Sequence, residues 1–179
     1  MKTNGINTTD PKNQCFFMLK SSRLNFLKIN ESCVDLFTDA QFTYPVMKYI
    51  TGHALTKEEA IERYLKFTDE PIAGNYFVLD AASGQTIGLA KLAVESPGVV
   101  EIGYSLFEDY WGRGLAYEMA QALMDYALET LKPVKIIGFV DSRNRASVRI
   151  LEKVGLTLES EVKERQGGNV WLFSKTITY

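Results

Sequence analysis

Tyr104-Ser105-Leu106-Phe107-Glu108-Asp109-Tyr110-Trp111-Gly112-Arg113-Gly114-Leu115-Ala116-Tyr117 is the stretch whose reading decides the fold. It reads as a strand end, a short loop with two glycines, and the first turn of a helix. Downstream, Leu115, Met119, Leu123, Tyr126 and Ala127 recur at three- and four-residue steps, with Glu118, Gln121, Asp125 and Glu129 on the opposite face. That pattern predicts a helix over Leu115–Leu131. The loop therefore sits where the first backbone N–H groups of a helix lack partners. Such amides, at the positive end of the helix dipole, suit a phosphate or pyrophosphate. A tight strand-to-helix turn without a ligand is the plainer alternative, because short glycine motifs recur by chance.

The strand before the loop, Val99–Leu106, carries Val100, Ile102, Tyr104 and Leu106 on one face and Glu101, Gly103 and Ser105 on the other. The second face is small and holds a single carboxylate. It leaves room for a thin ligand beside the strand, with Glu101 pointing at it; an ion-paired or surface carboxylate is the alternative role for Glu101. After the long helix, Val134–Val140 is almost wholly apolar, as in a strand buried on both faces. Asp141–Asn144 then leads into a helix over Arg145–Val154, stopped by Gly155. Leu156–Val162 and Val170–Ile177 close the chain as strands, joined by a hairpin turn at Gln166–Asn169.

Upstream, Leu24–Ile29 is a first strand. Ser32 and Asp35 have capping-box spacing and open a helix expected to end before Pro45. Tyr44–Ile50 is expected to be irregular or a short turn. Thr56 and Glu59 form a clearer capping box for a helix to about Phe67, with Ala60, Ile61, Tyr64 and Leu65 inward. Asn75–Asp80 and Thr86–Val94 make an antiparallel hairpin across the turn at Ala81–Gln85. The total is about seven strands and about four helices in a mixed, mostly antiparallel sheet, an α/β (α+β) fold without internal repeat.

A chain of 179 residues, 46% hydrophobic, is one globular domain with a full core. Its formal net charge of −2 gives no pull toward nucleic acid or an acidic membrane surface. No apolar run has the length of a membrane span. Residues 1–21 are expected to form a flexible tail before a domain at 22–179, with no secretion signal. Cys15 and Cys33 are then free thiols of a cytoplasmic protein. His53 has neither Cys nor a second His near it, so neither a structural metal site nor a His-based triad is expected.

Two nucleotide motifs fit the glycine loop poorly. A dinucleotide fingerprint wants glycine where Tyr117 stands, and its acid, Asp141, comes late. A Walker A loop needs Gly-Lys-Ser/Thr. The loop and its neighbours instead resemble the GNAT superfamily of acyl-CoA-dependent N-acetyltransferases. The family signature Gln/Arg-x-x-Gly-x-Gly/Ala falls on Trp111-Gly112-Arg113-Gly114-Leu115-Ala116, with Trp111 departing at the first position. That departure, Glu-Ile-Gly-Tyr-Ser-Leu at Glu101–Leu106, and Asn144, Ser147 and Leu151–Gly155 resemble the branch of ribosomal-protein N-terminal-alanine acetyltransferases. The resemblance covers roughly residues 22–179.

The resemblance implies transfer of an acetyl group from acetyl-CoA, as cosubstrate, to a primary amine such as a protein N-terminus or a small molecule. The backbone of Tyr104, Ser105 and Leu106 would pair with the pantetheine arm. Amides from Gly112 through Arg113, Gly114 and Leu115 to Ala116 would hold the pyrophosphate, while Asn144 and Ser147 contact the cofactor. Glu101 would act as general base on the amine. A general-acid Tyr common in the family would stand at Leu151, leaving that role unfilled or passed to Tyr104 or Tyr110. Arg145, Arg149 and Lys153 share a helix face and are candidates for a nucleotide phosphate. The acceptor groove would come from about Phe37–Phe67, with Phe42, Tyr44 and Tyr49, and from the last hairpin. A non-catalytic acyl-CoA-binding module on the same fold is the alternative function. Oligomeric state is open, a homodimer included.

Overall fold

A computed structural model of the chain describes residues 17–66, 72–165 and 168–179. Eight strands form one sheet: β1 (Phe17–Lys20), β2 (Leu24–Lys28), β3 (Gly74–Asp80), β4 (Thr86–Ser96), β5 (Val99–Leu106), β6 (Lys135–Asp141), β7 (Thr157–Arg165) and β8 (Gly168–Thr176), in the order β1-β2-β3-β4-β5-β6-β8-β7. Every neighbouring pair is antiparallel except β5 and β6, which run parallel across the long helix. The expected α/β (α+β) sheet is therefore present, with one strand more than expected. That strand is β1, which lies inside the stretch read as tail and pairs with β2 at Leu19↔Phe26 and Lys20↔Asn25. Met1–Phe16, including Cys15, lie outside the described residues.

Among the described residues the α-helices are α1 (Tyr44–Met47), α2 (Lys57–Tyr64), α3 (Leu115–Tyr126, continued by a π-helical turn at Ala127–Leu131) and α4 (Arg145–Lys153). The capping box of α2 has both its bonds, Glu59 N–H to Thr56 Oγ1 at 3.2 Å and Thr56 N–H to Glu59 Oε2 at 2.8 Å. The segment after Ser32 departs from expectation. It forms two short 3₁₀ turns, Glu31–Leu36 and Asp39–Gln41, the first capped by Asn30. Pro45 does not follow a helix end but sits in the first turn of α1. There its missing N–H would have had no partner anyway.

The sheet has a core on each face. On one, α3 and α4 pack Leu115, Met119, Leu123, Val148 and Leu151 against Phe26, Leu92, Val100, Ile102 and Phe173. On the other, the segment from Cys33 to Tyr64 packs Phe37, Phe42 and Met47 against Leu27, Phe77, Leu89 and Phe107. The strand residues in this second core come from β2, β3 and β4, with Phe107 just after β5. Phe139 on β6 consequently stays 46% exposed, so β6 is covered fully on one face only, not on both. Among the described residues no helix is long and apolar enough to cross a membrane.

Candidate functional site

The site begins where β5 and β6 part. The two strands pair at Val99↔Lys135, Val100↔Ile136 and Glu101↔Ile137 and no further, although β5 runs to Leu106 and β6 to Asp141. Each stays paired on its other side, β5 to β4 as far as Leu106 and β6 to β8 throughout. Phe107 N–H donates to Ile87 O at 2.9 Å, and Leu106 lies opposite Gly88. Antiparallel ladders alternate, so Ser105 turns its backbone groups to β4 while Tyr104 and Leu106 turn theirs to the gap. The backbone groups of Tyr104 and Leu106 thus face the gap, where the Leu106 carbonyl accepts from the Trp111 indole, and those of Ser105 face β4.

The glycine loop closes one end of this gap. Gly112 and Gly114 have φ of 76° and 73°. That left-handed region favours glycine, which fixes the turn for conformational reasons. Space is not the limit: a Cβ at Gly112 would meet nothing within 4 Å, and one at Gly114 only Arg23 Nη2 at 3.9 Å. Gly114 is the N-cap of α3 and brings no side-chain cap, so the first amides of the helix stay open. Trp111 is pinned across the loop, its indole N–H donating to Leu106 O at 2.8 Å. Arg113 donates to Asp109 O at 2.8 Å and lies over the Tyr110 ring at 5.5 Å.

Arg23, which sequence reasoning missed, ties the loop down. Its Nη1 donates to Arg113 O at 3.2 Å and its Nε to Glu118 Oε2 at 2.6 Å. Burial pushes Glu118 up, but hydrogen bonds from Ser21 and from the Arg23 backbone and guanidinium outweigh it, leaving the carboxyl below its ordinary value.

Asn144 and Ser147 are engaged in holding α4. Asn144 Oδ1 accepts from Ser147 N–H at 3.2 Å, capping the helix, and Ser147 O accepts from the Tyr104 hydroxyl at 3.2 Å. Tyr104 thus bridges β5 to α4 across the gap, and burial pushes its phenol well above its ordinary value. Leu151, at the position where a tyrosine acid could stand, is a core residue at 2% exposure. Tyr110 donates its hydroxyl to Gln85 Oε1 at 3.1 Å. Arg145, Arg149 and Lys153 do not converge: Arg145 stacks over Trp171 at 5.6 Å and Lys153 over Tyr117 at 4.1 Å.

Glu101 lies on the other face of β5, in a cavity of about 800 Å³ that also reaches Gly103, Tyr104, Ser105 and Phe139. Its Oε2 accepts from Lys91 Nζ at 2.5 Å, and Lys91 reaches Glu95 at 3.7 Å. Burial raises the Glu101 carboxyl above its ordinary value; Lys91 pulls it back and Glu95 pushes it up. A carboxyl so raised is a better proton acceptor than a surface one, provided that it is ionised. Lys91 is the second residue missed. The signal was there, because Lys91 pairs with Gly103 and so shares the Glu101 face.

Opposite Glu101, the cavity wall is Tyr49 and Tyr64, with Val162 and Val170 from the last hairpin. Phe42, expected in this groove, is instead fully buried against Phe37 and Phe107, and Tyr44 is 58% exposed. His53 is exposed, its Nδ1 3.0 Å from Thr51 O. Among the described residues no group of three His, Cys, Asp or Glu could hold a metal ion.

Sequence and structural comparisons agree on one family. The Acetyltransferase (GNAT) domain model matches residues 23–157. The chain is 25% identical to the uncharacterized N-acetyltransferase p20 of Bacillus licheniformis over 167 residues, 87% of this chain and 94% of that protein. Two shorter matches each span under half of the relative. YkkB of Bacillus subtilis is 32% identical over 77 residues, 43% of this chain and 45% of that one. Spermidine N(1)-acetyltransferase of Escherichia coli K12 is 33% identical over 89 residues, 48% and 47% of the two chains. A GNAT-family acetyltransferase from Bacillus anthracis superposes with a TM-score of 0.75 at 23% identity, covering 90% of this chain and 98% of that one. The ribosomal-protein-S5-alanine acetyltransferase of Vibrio fischeri does so at 0.68 and 19%, covering 88% and 94%. With a parted parallel pair, a glycine loop opening the crossover helix and a family model spanning both, the chain belongs to the GNAT acetyltransferase family.

Proposed function

We propose that the protein moves an acetyl group from acetyl-CoA to a primary amine by direct attack. The observation that carries this is the gap between β5 and β6, into which Tyr104 and Leu106 turn backbone groups beside the partly buried carboxylate of Glu101. Bound acetyl-CoA would supply a thioester, whose thiol is a modest base and leaves readily. The edge of β5 offers an amide-bearing arm the donors and acceptors of a missing strand. The amides from Gly112 in the loop to Ala116 in the first turn of α3 would hold the pyrophosphate, with the helix dipole behind them. The Leu106 N–H, turned to the gap, would polarise the thioester carbonyl and steady the oxyanion that forms from it.

Glu101 takes the proton from the incoming ammonium, directly or through water. An ordinary ammonium titrates near 10, so at neutral pH almost none is free to attack without a base. Lys91 opposes the upward push of burial on the Glu101 carboxyl. No tyrosine acid is needed for a thiol leaving group, which accords with Leu151 in the core. The resemblance to ribosomal-protein N-terminal-alanine acetyltransferases makes a protein N-terminus one candidate acceptor, and the spermidine enzyme makes a polyamine another. A cytoplasmic setting is part of the same reading.

The test is coenzyme A thiol release from acetyl-CoA with a panel of primary amines, preceded by titration of coenzyme A. Binding with turnover is the expected result. Binding without turnover by any amine would leave the non-catalytic acyl-CoA module, a reading favoured by the Lys91–Glu101 pair if that carboxylate never accepts a proton.

A further inference from the structure

The charges around the cavity are unevenly matched. Its described carboxylates are Glu95, Glu101 and Asp141, which share two cations, Lys91 and Arg143. Lys91 lies 2.5 Å from Glu101 and 3.7 Å from Glu95. Arg143 forks onto Asp141, Nε to Oδ1 at 2.9 Å and Nη2 to Oδ2 at 2.6 Å. The Arg143 hydrogen bonds hold the Asp141 carboxyl below its ordinary value against its burial. Two further cations line the same cavity, Lys48 and Arg63. Neither has a carboxylate partner among the described residues. Each lies over a tyrosine ring of the wall, Lys48 over Tyr49 at 4.7 Å and Arg63 over Tyr64 at 5.7 Å.

We infer that the acceptor is a small primary amine that also carries an acid group, as an α-amino acid does, with Lys48 and Arg63 receiving the acid. This deepens the acetyltransferase reading and rests on it. A polyamine needs a carboxylate for each ammonium beyond the reacting one, and every described carboxylate of the cavity is taken. An acid-bearing amine meets the opposite situation: one carboxylate to accept its proton and two cations to hold its acid. Charge-assisted bonds to Lys and Arg are the stronger kind. The surplus of cations also helps chemically. Positive groups near an ammonium lower its pKa, so the acceptor gives up its proton more readily there than in water. Tyr49 and Tyr64 present their ring faces to these cations, which orients the heads at little entropic cost.

The experiment compares the protein amino acids with their primary amides, and both with spermidine, by coenzyme A thiol release. The amide removes the acid and also makes the amine a weaker base, a change that by itself favours the amide, so a preference for the acid form reports the acid. Coenzyme A is titrated first, because failure to bind it defeats the acetyltransferase reading itself. With coenzyme A bound, the best amino acid should exceed its amide in kcat/KM by roughly ten- to hundredfold, the loss expected for a hydrogen-bonded charge. The doubly substituted Lys48→Met, Arg63→Met protein should bring acid and amide to parity, with its melting temperature recorded to exclude misfolding. The inference is overturned if spermidine or the amide matches the acid, if the preference survives in the double variant, or if coenzyme A binds and no amino acid is acetylated.

Discussion

The two walls of the cleft are built from different materials. The glycine-loop wall is backbone: open amides at the start of α3, positive φ at Gly112 and Gly114, and the free edge of β5. The cavity wall is side chain: Lys91, Glu95 and Glu101 in one ion-paired string, Asp141 forked by Arg143, and the rings of Tyr49, just after α1, and Tyr64 of α2. A backbone wall recognises what every acyl-CoA shares, while a side-chain wall selects. Substitutions should therefore separate the two functions, and their ranking tests whether the division holds.

The largest effect belongs to the cavity wall. Glu101→Gln keeps the shape and the hydrogen bond to Lys91 but removes the proton acceptor. Turnover at neutral pH should fall by about 10²–10⁴-fold, with coenzyme A affinity unchanged. The deficit should shrink as pH approaches the ammonium value near 10, where free amine no longer needs a base. A pH–rate profile lowered equally everywhere would remove Glu101 from that role.

Lys91→Met is next. Burial raises the Glu101 carboxyl and Lys91 lowers it, so deleting Lys91 leaves the upward push unopposed and adds to that of Glu95. The base must be ionised to work, and the acid limb of the profile should move to higher pH while the rate above that limb is retained. A stationary limb would mean that the group titrating in the profile is not Glu101.

The glycine-loop wall answers to backbone changes. Gly114→Val forces a β-branched residue to a φ of 73°. That costs roughly 1–2 kcal/mol even where space is open. Coenzyme A affinity should drop about tenfold or more by calorimetry, while Gly114→Ala loses less. If both bind as the parent does, the loop shape is irrelevant to the nucleotide and the contrast between the walls fails.

The same contrast governs how much could be read from the chain alone. The loop, β5 and α3 are contiguous, and their periodicity and glycines sit within one stretch, so Val99–Leu106 matches β5 and Leu115 opens α3 as expected. The cavity wall is assembled from the turn after α1, α2, β3, β4, β5, β6 and the last hairpin, and no local pattern connects Arg63 with Arg143. Lys91 was within reach once the β4–β5 register was counted, because strand residues two apart share a face. Phe139 was not. Its apolar run signals burial, yet whether a second layer extends over β6 depends on where the segment after Cys33 packs. Pro45 shows a local ambiguity, since proline both ends helices and begins them.

The smallest effect falls where the backbone wall borrows one side chain. Of the three basic residues on α4, Arg145 rests over Trp171 and Lys153 over Tyr117. Arg149 is exposed and has neither an ion pair nor a ring partner among the described residues. It is the cation left to meet a nucleotide phosphate of coenzyme A. An exposed pair of this kind is heavily screened, so Arg149→Ala should weaken coenzyme A binding only about two- to fivefold. The diagnostic is the salt dependence. Removing one cation that meets a phosphate flattens the decline of affinity with added sodium chloride, whereas loss of a packing contact leaves that slope alone. Equal affinity and equal slope in parent and variant would show that the helix face is merely solvated, and that the backbone of the glycine loop holds the nucleotide without help from α4.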